Sequence, residues 1–169
     1  KKSIALEPML PEAWLGLGIV EDLLGSTKEG IVLIQKALDY DPENAGIYHV
    51  LAGAYEKIEA TEEANYHYLK SLELGPTDEE ALNDYMAFLS SSSLSTAQHF
   101  ILEFLDKHPQ HIQAQLHLIN LKWQMGQVHE AKFMYLNCLN QSSAQAKNIF
   151  EINPKLLDDS DFLHLTDDL

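Results

Sequence analysis

The sequence predicts an all-α repeat protein, a row of helix pairs with a period of about 34 residues. Three observations carry that prediction. Pro8, Pro42, Pro76 and Pro109 are spaced 34, 34 and 33 residues apart, a regularity that chance does not readily produce. Two apolar stripes at helical spacing recur between the prolines, as in Trp14, Leu17 and Gly18 followed by Ile31, Ile34 and Ala37. A turn signal separates the two stripes in each period, Leu24-Gly25 being the clearest. Hydrophobic residues make up 46% of the 169, enough for stacked units to bury a continuous core.

The elements follow in order. Residues 1–10 read as the end of a preceding half-repeat, with Lys2 to Leu6 as its last turns and Pro8 as its stop. The chain therefore enters mid-motif, and it lacks an initiating Met, which suggests a fragment or a processed piece. Repeat 1 spans 11–44. Pro11 suits a first helical turn, Gly25 a left-handed helix end, and Ser26 to Glu29 a capping box for the second helix. Gly18 permits close approach of the neighbouring helix, while Gly30 costs about 1 kcal/mol of helix propensity. Repeat 2 spans 45–78, with Tyr48, Leu51, Ala52 and Tyr55 on one helix and Ala64, Tyr68 and Ser71 on the next. Thr61 is the expected N-cap of that second helix, and Glu59 stands where the turn glycine would be.

Repeat 3, residues 79–111, keeps Leu82, Tyr85, Met86 and Leu89, then Ala97, Ile101 and Phe104. Its turn is read as the serine run Ser90 to Ser95, one residue short, with Ser93 or Ser95 as N-cap. Repeat 4, residues 112–145, keeps Leu118, Ile119, Gly126, Ala131, Tyr135 and Leu139. Residues 146–169 break the period. Ile149, Phe150 and Ile152, then Asn153-Pro154 and an apolar face of Leu156, Leu157, Phe162, Leu163 and Leu165, read as capping helices before an acidic end.

Counted from Pro11, the residues Trp14, Leu17, Gly18, Gly25, Gly30, Ile34, Ala37 and Pro42 fall on the W-x2-L-G…A-x3-F…P pattern. The chain thus resembles the tetratricopeptide repeat (TPR) family over residues 1 to about 145. It departs at Glu21 and Lys122, where aromatic residues are usual, and at Ser143, which replaces the proline. The resemblance implies a right-handed superhelical solenoid of antiparallel helix pairs whose first helices line a concave groove. It also implies that the groove receives an extended or helical peptide. The matching groove positions include Leu15, Ile19 and Asp22 in repeat 1, then His49, Gly53 and Lys57 in repeat 2. In repeat 3 they include Asn83, Asp84 and Ala87, and in repeat 4 His117, Asn120 and Trp123. Trp123 is the best single anchor, with burial under the C-terminal tail as its alternative. The cationic clamp that some family members use on C-terminal carboxylates is absent, because Leu15, Ile19, Val50, Glu80 and Asp84 occupy its places.

Charge and composition bound the partners. The net charge is −15 and arginine is absent, so nucleic acid and anionic membrane surfaces are disfavoured and a neutral or basic protein or peptide is favoured. Cys138 is the one cysteine, which excludes an intrachain disulfide, mildly favours a cytoplasmic setting and suits a small buried residue. A leader lost upstream remains compatible with this reading. His108, His111 and His117 form the densest histidine group, and the turn setting of His108 and His111 favours exposed histidines over a metal site. The acidic run Asp158 to Asp161 lacks the glycine and glutamate of a calcium loop. No nucleophile is paired with a base and no phosphate loop is present. The expectation is therefore a non-catalytic protein–protein interaction scaffold, without metal or cofactor. Self-association to a homo-oligomer, or service as the regulatory or targeting domain of a larger enzyme, are its alternatives.

Overall fold

A computed structural model describes residues 10–159 and Phe162. The expected turns at Lys2–Leu6 and the acidic end at Asp167–Leu169 lie outside the described residues. The described chain is helical throughout its regular structure: α1 (Pro11–Leu23), α2 (Thr27–Tyr40), α3 (Ala45–Lys57), α4 (Thr61–Leu74), α5 (Glu79–Ser92), α6 (Leu94–Lys107), α7 (Ile112–Gln124), α8 (Val128–Gln141), the short α9 (Ser143–Ala146) and α10 (Ile149–Ile152), and a 3-10 turn at Pro154–Asp158. The chain forms two compact units, one ending at Tyr85 and the other beginning at Met86, so the boundary falls inside α5.

In the first unit α1 packs on α2, α2 on α3, and α3 on α4. Its core is Ile31, Ile34, Ala37, Ile47, Leu51 and Ala54, with Trp14, Leu15, Leu38 and Val50 packed against it. Lys36 adds a cation–π contact, its Nζ lying 4.6 Å from the Trp14 ring centre. Gly18 and Gly30 are where α1 and α2 come closest. A Cβ on Gly18 would lie 2.8 Å from the Gly30 carbonyl oxygen, and one on Gly30 would lie 2.7 Å from the Gly18 oxygen. The propensity cost of Gly30 is thus tied to backbone contact between the paired helices.

The turns within helix pairs share a device. Gly25 and Gly126 have φ of 89° and 79°, and Glu59, in the corresponding place, is driven to 59°. The third turn avoids this conformation. α5 continues to Ser92, so the serine run is mostly helix rather than the expected turn, and Ser93 alone connects α5 to α6. Ser93 has an extended φ of −163°, and its side chain accepts from the Thr96 amide at 3.2 Å. Ser91 stays helical because its hydroxyl donates back to the Phe88 carbonyl at 2.8 Å.

Two capping expectations are corrected. Ser26 precedes α2 without a side-chain cap bond, and Thr27 instead donates to Asp22 Oδ1 at 2.8 Å. Thr61 is the first residue of α4, preceded by Ala60, so it does not stand at the N-cap position. The turns between pairs carry a recurring cap that the sequence reading did not single out. Asn44 accepts from Ile47 N, Asp78 from Ala81 N, and His111 Nδ1 from Ala114 N, at 3.1–3.2 Å.

The second unit is closed by its own C-terminal segment. Leu116, Ile119, Ala131, Tyr135, Cys138 and Leu139 pack with Ala146, Ile149, Leu156 and Phe162 in one core. Tyr135 lies against Phe162 at 5.4 Å between ring centres, and Asn153 caps the 3-10 turn by accepting from Lys155 N at 3.1 Å.

Candidate interaction face

The predicted groove positions divide between the two units. Leu15, Ile19, Asp22, His49, Gly53, Lys57, Asn83 and Asp84 lie in the first. Ala87, His117, Asn120 and Trp123 lie in the second.

In the first unit, His49, Gly53 and Lys57 follow one another at i, i+4 and i+8, so they form one line along α3. Each end of that line is tied to a different neighbour. Lys57 Nζ donates to Asp22 Oδ2 of α1, and His49 Nε2 lies 2.9 Å from Asp84 Oδ2 of α5. Both pairs are separated by 35 residues, one more than the repeat. That offset follows from a stack in which corresponding helices run side by side, so that position n of one meets n+1 of the next. Burial pushes the Asp22 carboxyl up. The bonds from Lys57 and Thr27, with the Lys57 charge, outweigh it and hold the group below its ordinary value.

Between these ends Gly53 is open: a Cβ there would meet nothing within 4 Å. Leu15, Ile19 and Val50 are half-buried. Polar groups frame this strip. Glu56 accepts from the Tyr68 hydroxyl at 2.7 Å, and Asp84 keeps 54% of its side-chain surface exposed. Tyr68 stacks on Tyr85, whose hydroxyl donates to Asn65 at 2.8 Å, so the framing residues stand on a fixed base. Burial pushes the Tyr85 hydroxyl up to about 12, which keeps it a neutral donor.

The second unit places its predicted residues differently. Ala87 is exposed, but His117 and Asn120 are buried. Asn120 Oδ1 accepts from Asn153 Nδ2 at 2.8 Å and from Gln124 at 3.1 Å. The Trp123 indole donates to Asp159 at 3.3 Å. The C-terminal segment therefore holds two residues that the sequence marked for a partner. Burial first, and His111 second, push the His117 pKa down to about 4. His108 and His111 also have structural uses, both packing against Phe104 with ring centres 4.7 and 5.4 Å away. Among the described residues no group of three or more His, Cys, Asp or Glu side chains is placed to hold a metal ion.

No protein-family model and no curated protein sequence matches this chain. Solved structures do. The MamA protein superposes with a TM-score of 0.60 at 20% identity, over 87% of this chain and 81% of that one. PilF of Pseudomonas aeruginosa gives 0.56 at 21%, over 92% and 74%. YrrB, described as a TPR protein with an unusual peptide-binding site, gives 0.54 at 20%, over 89% and 79%. The chain has a TPR-like fold. In this TPR-like chain no helix among the described residues is long and apolar enough to cross a membrane.

The paired polar side chains on the face are what sequence reasoning missed. Their signal was in the chain, since Asp22 and Lys57, and likewise His49 and Asp84, are complementary at a separation of 35. The tail contacts had no such signal, because Asn153 and Asp159 fall where the period has lapsed.

Proposed function

We propose that this protein is a non-catalytic interaction scaffold, and that the face of α1 and α3 in the first unit receives a peptide or protein segment. The observation that carries this reading is Gly53. A glycine inside a helix costs about 1 kcal/mol relative to alanine, and no neighbour among the described residues lies within 4 Å of the missing Cβ. A glycine so placed leaves room for a partner's backbone to approach α3. The apolar strip of Leu15, Ile19 and Val50 offers contact area, while Asp84 and Glu56 favour a neutral or basic partner. His117, Asn120 and Trp123 are left out of this reading, because His117 is buried and Asn120 and Trp123 are bonded to Asn153 and Asp159.

Selection of a displayed random peptide library on the intact protein tests the proposal. Peptides that bind the wild type and lose at least about tenfold in affinity with Gly53→Gln would support it. The glutamine side chain of that variant would enter open space without disturbing the fold. Peptides that bind both proteins equally would place recognition elsewhere.

A further inference from the structure

The N-caps between helix pairs form a series with one chemically different member. Asn44 and Asp78 cap α3 and α5 through side-chain oxygens, whereas His111 caps α7 through a ring nitrogen, its Nδ1 accepting from Ala114 N at 3.2 Å. Amide and carboxylate oxygens keep their lone pairs across about pH 5–8. An imidazole nitrogen accepts only while it carries no proton, and histidine is the side chain whose charge ordinarily changes in that range. The α7 cap therefore requires a neutral ring with its proton on Nε2.

What surrounds the ring makes this cap consequential. His111 is half-buried and meets Phe104 of α6 in a T-shaped contact, 5.4 Å between ring centres. The residues that follow are tied down at once. Ile112 packs against the core of the second unit, Ala114 is fully buried, and Gln115 bridges the Pro109 carbonyl at 2.7 Å and Cys138 Sγ of α8 at 3.1 Å. The charged and titratable groups on the packed elements are Asp106, Lys107 and His108 at the end of α6, Tyr135 and Cys138 on α8, Lys147 and Glu151 after it, and His117 on α7 itself. Burial pushes Tyr135 up to about 12 and Cys138 up to about 11, so both stay neutral. A charge on His111 opposes one on buried His117. Among the described residues no carboxylate is bonded to the His111 ring, so a proton taken up there gains no ion pair.

We infer that His111 is an acid-released latch on α7: a proton on Nδ1 removes the cap and opens the first turn of the helix. Three effects act together. The acceptor of the Ala114 N–H is lost, the new ring N–H points at that amide, and a positive charge stands at the positive end of the helix dipole. The opened turn withdraws Ile112 from the core and releases Gln115 from Pro109 and Cys138. It also admits water to His117, which then takes a second proton and steepens the opening. The neutral ring favours the closed form, so the latch holds above the ordinary histidine value of about 6.5 and releases as pH falls below it. As caps, Asn44 and Asp78 give α3 and α5 no such response in this range.

Nuclear magnetic resonance on the isotope-labelled intact chain tests the latch with two readings. Imidazole nitrogen shifts report the His111 tautomer, and Nδ1 is expected to be unprotonated above about pH 7. Hydrogen exchange at the Ala114 amide, corrected for its intrinsic pH dependence, reports opening of the turn. Between about pH 7 and 5.5 the opening constant is expected to rise at least about fivefold more in wild type than in His111→Asn, which copies the cap of Asn44 and keeps an acceptor that does not titrate. His111→Ala should open more readily than wild type at neutral pH, and His108→Gln should keep the wild-type rise. An Nδ1 found protonated above about pH 7, or an equal rise in wild type and His111→Asn, overturns the inference. So does a rise that disappears in His108→Gln, since the titrating ring is then His108.

Discussion

Gly30→Ala sets two opposed effects against each other. Alanine in a helix interior is favoured over glycine by about 1 kcal/mol. In this chain the new Cβ would stand 2.7 Å from the Gly18 carbonyl oxygen, and 3.2 and 3.3 Å from Asp22 N and Cβ. The oxygen and the nitrogen are backbone atoms, so no rotamer change relieves the contacts and α1 must shift away from α2. Overpacking of this kind typically costs about 1–3 kcal/mol, and here the shift would also strain the pairing of Asp22 with Lys57. The net expectation is a loss of about 1 kcal/mol in the first unit. Gly53→Ala is the control, since its Cβ meets nothing and the propensity gain stands alone at up to about 1 kcal/mol. Urea unfolding followed by Trp14 fluorescence, in a Trp123→Phe background that leaves Trp14 as the one tryptophan, reads the first unit. If Gly30→Ala stabilised as much as Gly53→Ala, the close approach of α1 and α2 would not be the reason for the glycine.

Further predictions concern single sites. Glu59 sits at φ 59°, so Glu59→Gly removes left-handed strain and should raise stability by about 1 kcal/mol, read as a higher urea midpoint at unchanged slope. His117 is held near 4 against an ordinary 6.5, so it favours the folded state when neutral. Its contribution, about 3 kcal/mol from that shift, is complete above pH 6.5 and is lost as pH falls from 6.5 towards 4. Unfolding measured across that window should lose much of its pH dependence in His117→Gln. Burial also pushes the His67 pKa down, so the first unit should weaken over the same side of 6.5. Leu156 is fully buried, and Leu156→Ala should cost about 2–5 kcal/mol in the second unit by thermal or urea unfolding.

The repeat and the helix pairing were legible because they rest on local rules. Prolines at a fixed period, glycines at left-handed turns and apolar stripes at helical spacing each act within a few residues. Capping was less legible, since Ser26 and Thr61 have the right chemistry for an N-cap but Thr27 is drawn to Asp22 and α4 begins at Thr61 itself. The serine run misled for a related reason, because Ser91 can satisfy its hydroxyl within a helix. The candidate face was legible as a set of positions but not as a set of available groups. Whether Asp22 or Lys57 faces solvent or each other depends on the spacing of adjacent helices. Whether Asn120 is open depends on where Asn153 comes to rest beyond the last repeat.

Chemical-shift mapping on the isotope-labelled protein, titrated with a peptide selected on it, tests the central claim most directly. The account predicts the largest shifts at Gly53, Ile19 and Lys57, with Tyr40, Tyr66 and Leu69 unmoved. Shifts confined to Tyr40, Tyr66 and Leu69, with Gly53 silent, would contradict it.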